Sequence, residues 1–255
     1  MDRKRVSGPD KTVVPLLESA ATALPTVFDP DRRKDERTPE QLRPMFMKTG
    51  AVRQANGSAY LETGRLKVTC GVYGPRQTSR SKMSTRGTLN CEFKFAPFSC
   101  AKRRSYLKDN QEREYSLTLQ QALSPAVRLD LLPKSTVDVY VQVLECDGST
   151  SALAAAITCA SLALADAGIE MLDIVAACSA GFIGSRTFLD ADGEEEGQQT
   201  GSLLLSYMPS LNEVTHIIQS GEVSSNATVK ALEICVDACS VINTVMQKSL
   251  VTSIE

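Results

Sequence analysis

The apolar positions of this chain change period along its length, and the changes mark its elements. The runs GSAYLE and RLKVTCGVYGP are β-rich and lie on either side of Thr63-Gly64, the pattern of a hairpin. Gly74-Pro75 is expected to end the second strand. RQTSRSKMSTRG is polar and reads as a loop, TLNCEFKFAPF alternates like a half-buried strand, and SCAKRRSYLKDNQ reads as a basic loop. From Glu112 the period becomes helical through EREYSLTLQQALSPAVRL, with Leu117, Gln120 or Gln121, and Leu123 or Ser124 at helical spacing. Pro125 is expected to kink that helix or to begin a new one. In STVDVYVQVLE, Val137, Val139, Val141 and Val143 share one face of a strand, and SALAAAITCASLALADAG follows as a small-residue helix ending at Gly168.

The second half runs through DIVAACSAGFIG, RTFLD, GSLLLSYMP and EVTHIIQSG, all strand-like, to a long amphipathic helix from about Ser224 to Leu250. Leu232, Val236, Cys239, Ile242 and Met246 are expected to line its inner face. Strands followed by a helix, twice over, predict an α+β fold of ββαβα character, one domain spanning 42–255. Residues 1–41 are polar, charged and proline-rich, apart from a short apolar stretch at Val13–Leu17, and are expected to form a flexible N-terminal arm.

Composition narrows the chemistry. A length of 255 residues with 42% hydrophobic content can bury a proper core. The net charge is −2, so attraction to a polyanion must come from local patches. No run is expected to span a bilayer, and the basic start MDRKR is not followed by a signal-like apolar segment. The eight cysteines form no CxxC pair and read as buried, reduced small hydrophobes. Cys235 and Cys239 stand four apart on a helix, but a single histidine in the whole chain argues against a zinc set, and no metal is expected. That histidine, His216, has no nucleophile motif beside it, which argues against triad hydrolase chemistry.

Four stretches in this order carry a family likeness: GSAYLETGRLKVTCGVYGPR, ERE…LQQAL.PAV, VDVYVQVLECDGSTSALAAAI and LALADAGIEMLDIV. Together they resemble the RNase PH fold, with its S5-like core, and are most similar to the non-catalytic ring subunits of the eukaryotic RNA exosome. The likeness runs from about Leu42 to the C-terminus. It implies a phosphorolytic ancestry: inorganic phosphate, held on a Gly-Gly-Thr-Arg type turn at a helix start, attacks the terminal linkage of an RNA 3′ end while an acidic motif assists. Phosphate beside an RNA backbone needs a cation to offset repulsion, and a guanidinium does so with two parallel hydrogen bonds.

The resemblance lays that turn on Gly148-Ser149-Thr150-Ser151, with Ser151 where the arginine belongs. Losing a charged bidentate phosphate contact costs about 2–4 kcal/mol, though Ser149, Thr150 and the helix N-terminus still offer a weak anion site. The acidic motif falls on LDADGEEEG, with Asp190 on the first carboxylate and Glu196 on the second. A glutamate at the second position moves its oxygens outward by a methylene, and misplacement on that scale costs on the order of a hundredfold. Asp192, Glu194 and Glu195 crowd the same loop, which reads as a solvated acidic surface that repels phosphate.

The expectation is therefore a degenerate site with no catalytic residue and no cofactor, in a subunit that supports ring assembly and lines an RNA path. Arg76, Arg80, Lys82 and Arg86 form one basic cluster, and Lys102, Arg103, Arg104 and Lys108 a second, with Lys94 and Phe98 on the approach. Arg76, Arg80, Lys82, Lys94, Lys102, Arg103 and Arg104 are the candidate RNA contacts, sequence-neutral and salt-sensitive. With no tryptophan and few aromatics, base stacking is not the expected main mode. The resemblance implies as partners RNA, RNase PH-like subunits on both sides, a cap protein with S1-type domains and a separate hydrolytic ribonuclease, in nucleus, nucleolus and cytoplasm, with no membrane. Two alternatives stand beside this: an active phosphate-dependent 3′-to-5′ exoribonuclease, and an RNA-binding module outside any ring.

Overall fold

The hairpin around Thr63-Gly64 is the centre of a five-stranded sheet in a computed structural model that describes residues 33, 35–77, 85–100, 102–184 and 186–254. Strands β1 (Met45–Thr49), β2 (Gly57–Thr63), β3 (Leu66–Gln77), β4 (Thr88–Phe95) and β5 (Ser135–Glu145) lie in the order β1-β2-β3-β5-β4. Thr63 pairs with Leu66, so the turn has two residues, and Gly64 takes the positive φ of 58° that such a turn needs. Gly74-Pro75 does not end β3. The register slips between Tyr73 and Arg76, and pairing with β5 resumes at Arg76–Thr136 and Gln77–Ser135. An irregularity absorbs the proline, which has no N–H to give to the ladder.

β5 is an inner strand, between β3 and β4, and carries the expected valine row, with Val137, Val139, Val141 and Val143 all buried. β4 runs parallel to it at the sheet edge. Helix α1 (Asn110–Leu123) covers that edge with polar side chains. Phe93 N–H donates to Ser116 Oγ at 3.0 Å, Phe95 N–H to Glu112 Oε1 at 2.9 Å, and Gln120 Nε2 to Leu89 O at 2.8 Å. The other oxygen of Glu112 accepts the Asp109 N–H at the start of the helix. The inward side of α1 is thus part polar, and Leu117, one of the positions at helical spacing, is 60% exposed. The helix stops at Leu123: Ser124 keeps a helical backbone and still donates to Gln120 O, but Pro125 has no N–H with which to continue the ladder.

Helix α2 (Ser149–Asp166) packs against β2 and β3 of this sheet and β6 of the second. Its alanines and other small residues permit that close approach. It is the one described helix long and apolar enough to cross a membrane by length and composition, contrary to the reading of the sequence. Its apolar character is used in the core, where 72% of it is buried. The second sheet has the order β7-β6-β8-β9, built from β6 (Ala176–Ile183), β7 (Arg186–Leu189), β8 (Gly201–Met208) and β9 (Glu213–Gly221). A one-turn helix, α3 (Gly193–Glu196), sits between β7 and β8.

Helix α4 (Ser225–Ile254) packs on β6, β8 and β1 through Ala231, Cys235, Ala238, Cys239, Ile242 and Met246. Leu232 and Val236 are only partly buried, so the inner face is centred one residue before the stripe read from spacing. All eight cysteines are free thiols. The described chain is docked before Leu42, which corrects the boundary of the arm: Arg33 is buried, and Pro39 O accepts the Leu189 N–H at 2.8 Å. Arg33 finds its partner only in space, in Glu195, so nothing near it in sequence signals the docking. The rest of the arm, including Val13–Leu17, lies outside the described residues.

Candidate functional site

β5 ends at Glu145, and the chain turns through Cys146-Asp147-Gly148 into α2. The first N–H groups of a helix have no partner within it and carry partial positive charge. Here they are occupied by a carboxylate of the same chain. Glu196 accepts from Ser149 N–H at 2.5 Å, from Thr150 N–H at 3.1 Å, from Thr150 Oγ1 at 3.0 Å and from Ser149 Oγ. The side chain reaches the turn because Gly148 has no Cβ; one built there would lie 2.5 Å from Glu196 Oε2. Ser151 is buried and donates to Gly148 O at 3.2 Å, so its hydroxyl is turned into the turn itself.

Asp190, the other carboxylate of the acidic motif, is also taken. Arg43 grips it through Nε to Oδ2 at 2.7 Å and Nη2 to Oδ1 at 2.5 Å, and the same guanidinium reaches Asp147 Oδ2 at 3.3 Å. Asp190 holds a positive φ of 48°, and its carbonyl and that of Leu189 accept from Arg33 Nη2. Arg33 also binds Glu195 in a fork, Nε to Oε1 at 2.8 Å and Nη2 to Oε2 at 2.7 Å. Burial pushes the Glu195 carboxyl up, but the Arg33 fork and the Asp192 N–H outweigh it and hold the group below its ordinary value.

The acidic loop is therefore not a solvated surface. Arg33 and Arg43 neutralise Glu195 and Asp190 from positions far away in sequence, and α2 neutralises Glu196. No motif near Arg33 or Arg43 marks either as a site residue.

Asp147 and Asp192 form a hydrogen-bonded carboxyl pair beside Arg43. Burial, then the bond to Asp192 and its charge, push Asp147 up to about 7, against the pull of Arg43 and Arg65. Asp192 is held low, burial being outweighed by its bonds to Asp147 and the Gly193 N–H. The folded chain thus keeps a proton on Asp147 that the unfolded chain releases near its ordinary value of 3.8. Asp147's contribution to stability is complete below that value and is lost as pH rises through about 7. The stability difference between wild type and Asp147→Asn, read by urea unfolding at each pH, is expected to shift in favour of the variant across that window; a pH-independent difference would count against the shared proton.

Beside Glu196 opens a cleft of about 320 Å³, lined by Gln111, Glu114, Tyr115, Thr150 and Gln199 among others. No lysine or arginine among the described residues lines it, while two carboxylates, Glu114 and Glu196, do. Such a cleft repels a phosphate dianion. Among the described residues no cluster of three or more His, Cys, Asp or Glu is arranged to hold a metal.

The candidate RNA contacts among the described residues do not form one patch. Arg76 is exposed and its guanidinium lies 5.2 Å from the Tyr73 ring centre. Its partner Thr136 also pairs with Thr88, so Arg76 is level with the start of β4. Lys94 lies at the other end of β4, and Lys102 and Arg103 follow it, exposed. At about 3.3 Å per residue the two ends of this strand are roughly 23 Å apart. Arg80 and Lys82 lie outside the described residues. Arg104 corrects its assignment: its guanidinium sits 3.9 Å over Phe95 and donates to Gln111 Oε1 at 3.1 and 3.2 Å and to Cys100 Sγ at 3.1 Å. Arg104 thus packs inward, while Lys102 and Arg103 face solvent.

A strand-to-helix anion turn and a paired acidic loop, set between two sheets, define a protein of the RNase PH type. The models of the 3′ exoribonuclease family match residues 41–170 (domain 1) and 173–238 (domain 2), and the chain belongs to that family. Among curated proteins it is 36% identical to the exosome complex component mtr3 of Schizosaccharomyces pombe, over 92% of this chain and 90% of that protein. It is 37% identical to the exosome complex component MTR3 of Homo sapiens, over 98% of this chain and 94% of that protein. The crystal structure of rice (Oryza sativa) Rrp46 matches with a TM-score of 0.76 at 28% identity, covering 86% of this chain and 100% of that one.

Proposed function

We propose that this chain is a catalytically inactive structural subunit of an exosome ring, supporting assembly and lining the path of RNA bound for 3′-to-5′ processing and decay. One observation carries the inactivity: Glu196 occupies the turn on which phosphate would have to bind. A nucleophilic phosphate would have to displace an internal carboxylate, in a cleft lined by a second one and by no described cation. Asp190 is equally engaged, by Arg43. The exosome names of its relatives support the assembly role. RNase PH-like subunits on each side, a cap with S1-type domains and a separate hydrolytic ribonuclease are the partners this role requires. Lys102 and Arg103 are the cations best presented to passing RNA, and the protein acts in nucleus, nucleolus and cytoplasm.

The test follows RNA 3′ ends with and without inorganic phosphate, using the purified chain alone and in a reconstituted ring. No phosphate-dependent release of nucleoside diphosphates is expected from this subunit in either state. Trimming that appears in the ring and vanishes on Thr150→Ala would mean that a neighbour completes the site, and the inactive reading would be wrong.

A further inference from the structure

The segment after β4 presents large apolar side chains to solvent. Phe98 is 70% exposed and Tyr106 76% exposed, on a stretch that is otherwise tightly anchored. Arg104 N–H donates to Pro97 O at 3.0 Å, Cys146 N–H to Ser99 O at 2.9 Å, and Lys108 pairs with Glu92 at 3.5 Å. The Arg104 guanidinium is clamped between Phe95 and Gln111. The inward-facing residues make the anchors, and the two rings stand outside them. Between the rings in sequence lie Lys102 and Arg103, exposed and without an ion-pair partner among the described residues. The chain as a whole is acidic, so this concentration of cations is local.

We propose that Phe98 and Tyr106 are base-stacking platforms for single-stranded RNA, with Lys102 and Arg103 on the intervening phosphates. The inference rests on the RNA-guiding role proposed above and specifies how it is performed. Every base has a π-face, so stacking on fixed rings tolerates any sequence, as a processing path requires. Rings held on an anchored loop lose little freedom on binding. Exposed cations beside the rings favour a polyanion over an apolar protein face, whose burial would strand those charges. The loop is also joined to the blocked site. Ser99 ties it to Cys146, just ahead of the phosphate turn, and Arg104 holds Gln111, which lines the cleft.

The test uses the full-length chain and two fluorescein-labelled oligomers of equal length, one of uridine and one abasic. Binding is measured by anisotropy over a range of salt. The Phe98→Ala/Tyr106→Ala variant is expected to bind the uridine oligomer at least about 30-fold more weakly, with the abasic oligomer and the salt slope unchanged. Lys102→Ala/Arg103→Ala is expected to weaken both oligomers and to lower the salt slope by about 1.4. Phe98→Tyr/Tyr106→Phe is expected to keep wild-type affinity. If the wild type binds uridine RNA and the double alanine variant binds it equally well, the stacking inference falls while the RNA role stands. Equal losses on both oligomers would likewise overturn it, as would retained RNA affinity with lost association to an RNase PH-like neighbour, which would make the rings a protein interface. A wild type that binds neither oligomer removes the RNA role itself.

Discussion

Glu196→Ala is expected to destabilise the protein by about 2 kcal/mol and to make its melting temperature depend on phosphate. The carboxylate accepts two backbone N–H groups and two hydroxyls at the start of α2, so its loss uncaps the helix and removes a negative charge from its positive end. Glu196 is partly exposed, and water can reach the vacated N–H groups, which keeps the loss below that of a fully buried ion pair. At about 2–4 °C per kcal/mol, the melting temperature should fall by about 4–8 °C. Added phosphate or sulfate should recover part of that fall in the variant by occupying the same turn, and should leave the wild type unmoved. Phosphorolysis should remain absent, because Ser151 brings no charge and the cleft has no described cation. Phosphate-dependent trimming by Glu196→Ala would mean that the carboxylate alone keeps the site silent, and that the absence of an arginine at Ser151 matters less than its charge suggests.

The strands and core helix of this fold were legible because their side-chain pattern matches their surroundings. β5 alternates valine with polar residues because one face meets the core and the other does not, and α2 is apolar all round because it is nearly so enclosed. α1 was legible as a helix, but what its inner side meets was not. Its inner side binds the polar edge of β4 through Glu112, Ser116 and Gln120, so burial and hydrophobicity part company there. Periodicity has no means of seeing that edge.

The site shows the same division. The positions Ser149, Thr150, Ser151, Asp190 and Glu196 follow from a motif, but their occupancy does not. A run of acids reads as solvated surface, and its neutralisation depends on arginines 147 and 162 residues away in sequence. Arg104 is the mirror case, a member of a basic run that turns inward onto an aromatic ring. In both, charge patterning gives the sign of a segment and leaves open which of its charges face water.

Arg43→Met is expected to cost more than any change at Glu196, about 3–5 kcal/mol. The Arg43 and Asp190 side chains are only 4% and 9% exposed, and two of the guanidinium's bonds fall on that one carboxylate. Removing the arginine leaves Asp190 enclosed, with the backbone N–H of residue 43, at 3.3 Å, the one hydrogen-bond donor among the described residues still directed at its side chain. Asp147 loses the same cation. Urea unfolding should show the loss directly, and the melting temperature should fall by about 6–20 °C. Arg43→Lys should be intermediate, since an ammonium keeps the charge but not the fork. The double change Arg43→Met/Asp190→Asn separates the worth of the pair from the penalty of breaking it. It should recover much of the loss, because the stranded charge is gone, and it should gain no phosphorolysis, because Glu196 still fills the turn. A loss under about 1 kcal/mol for Arg43→Met would mean that water reaches Asp190 and that the clamp is not what holds the loop carrying Glu196.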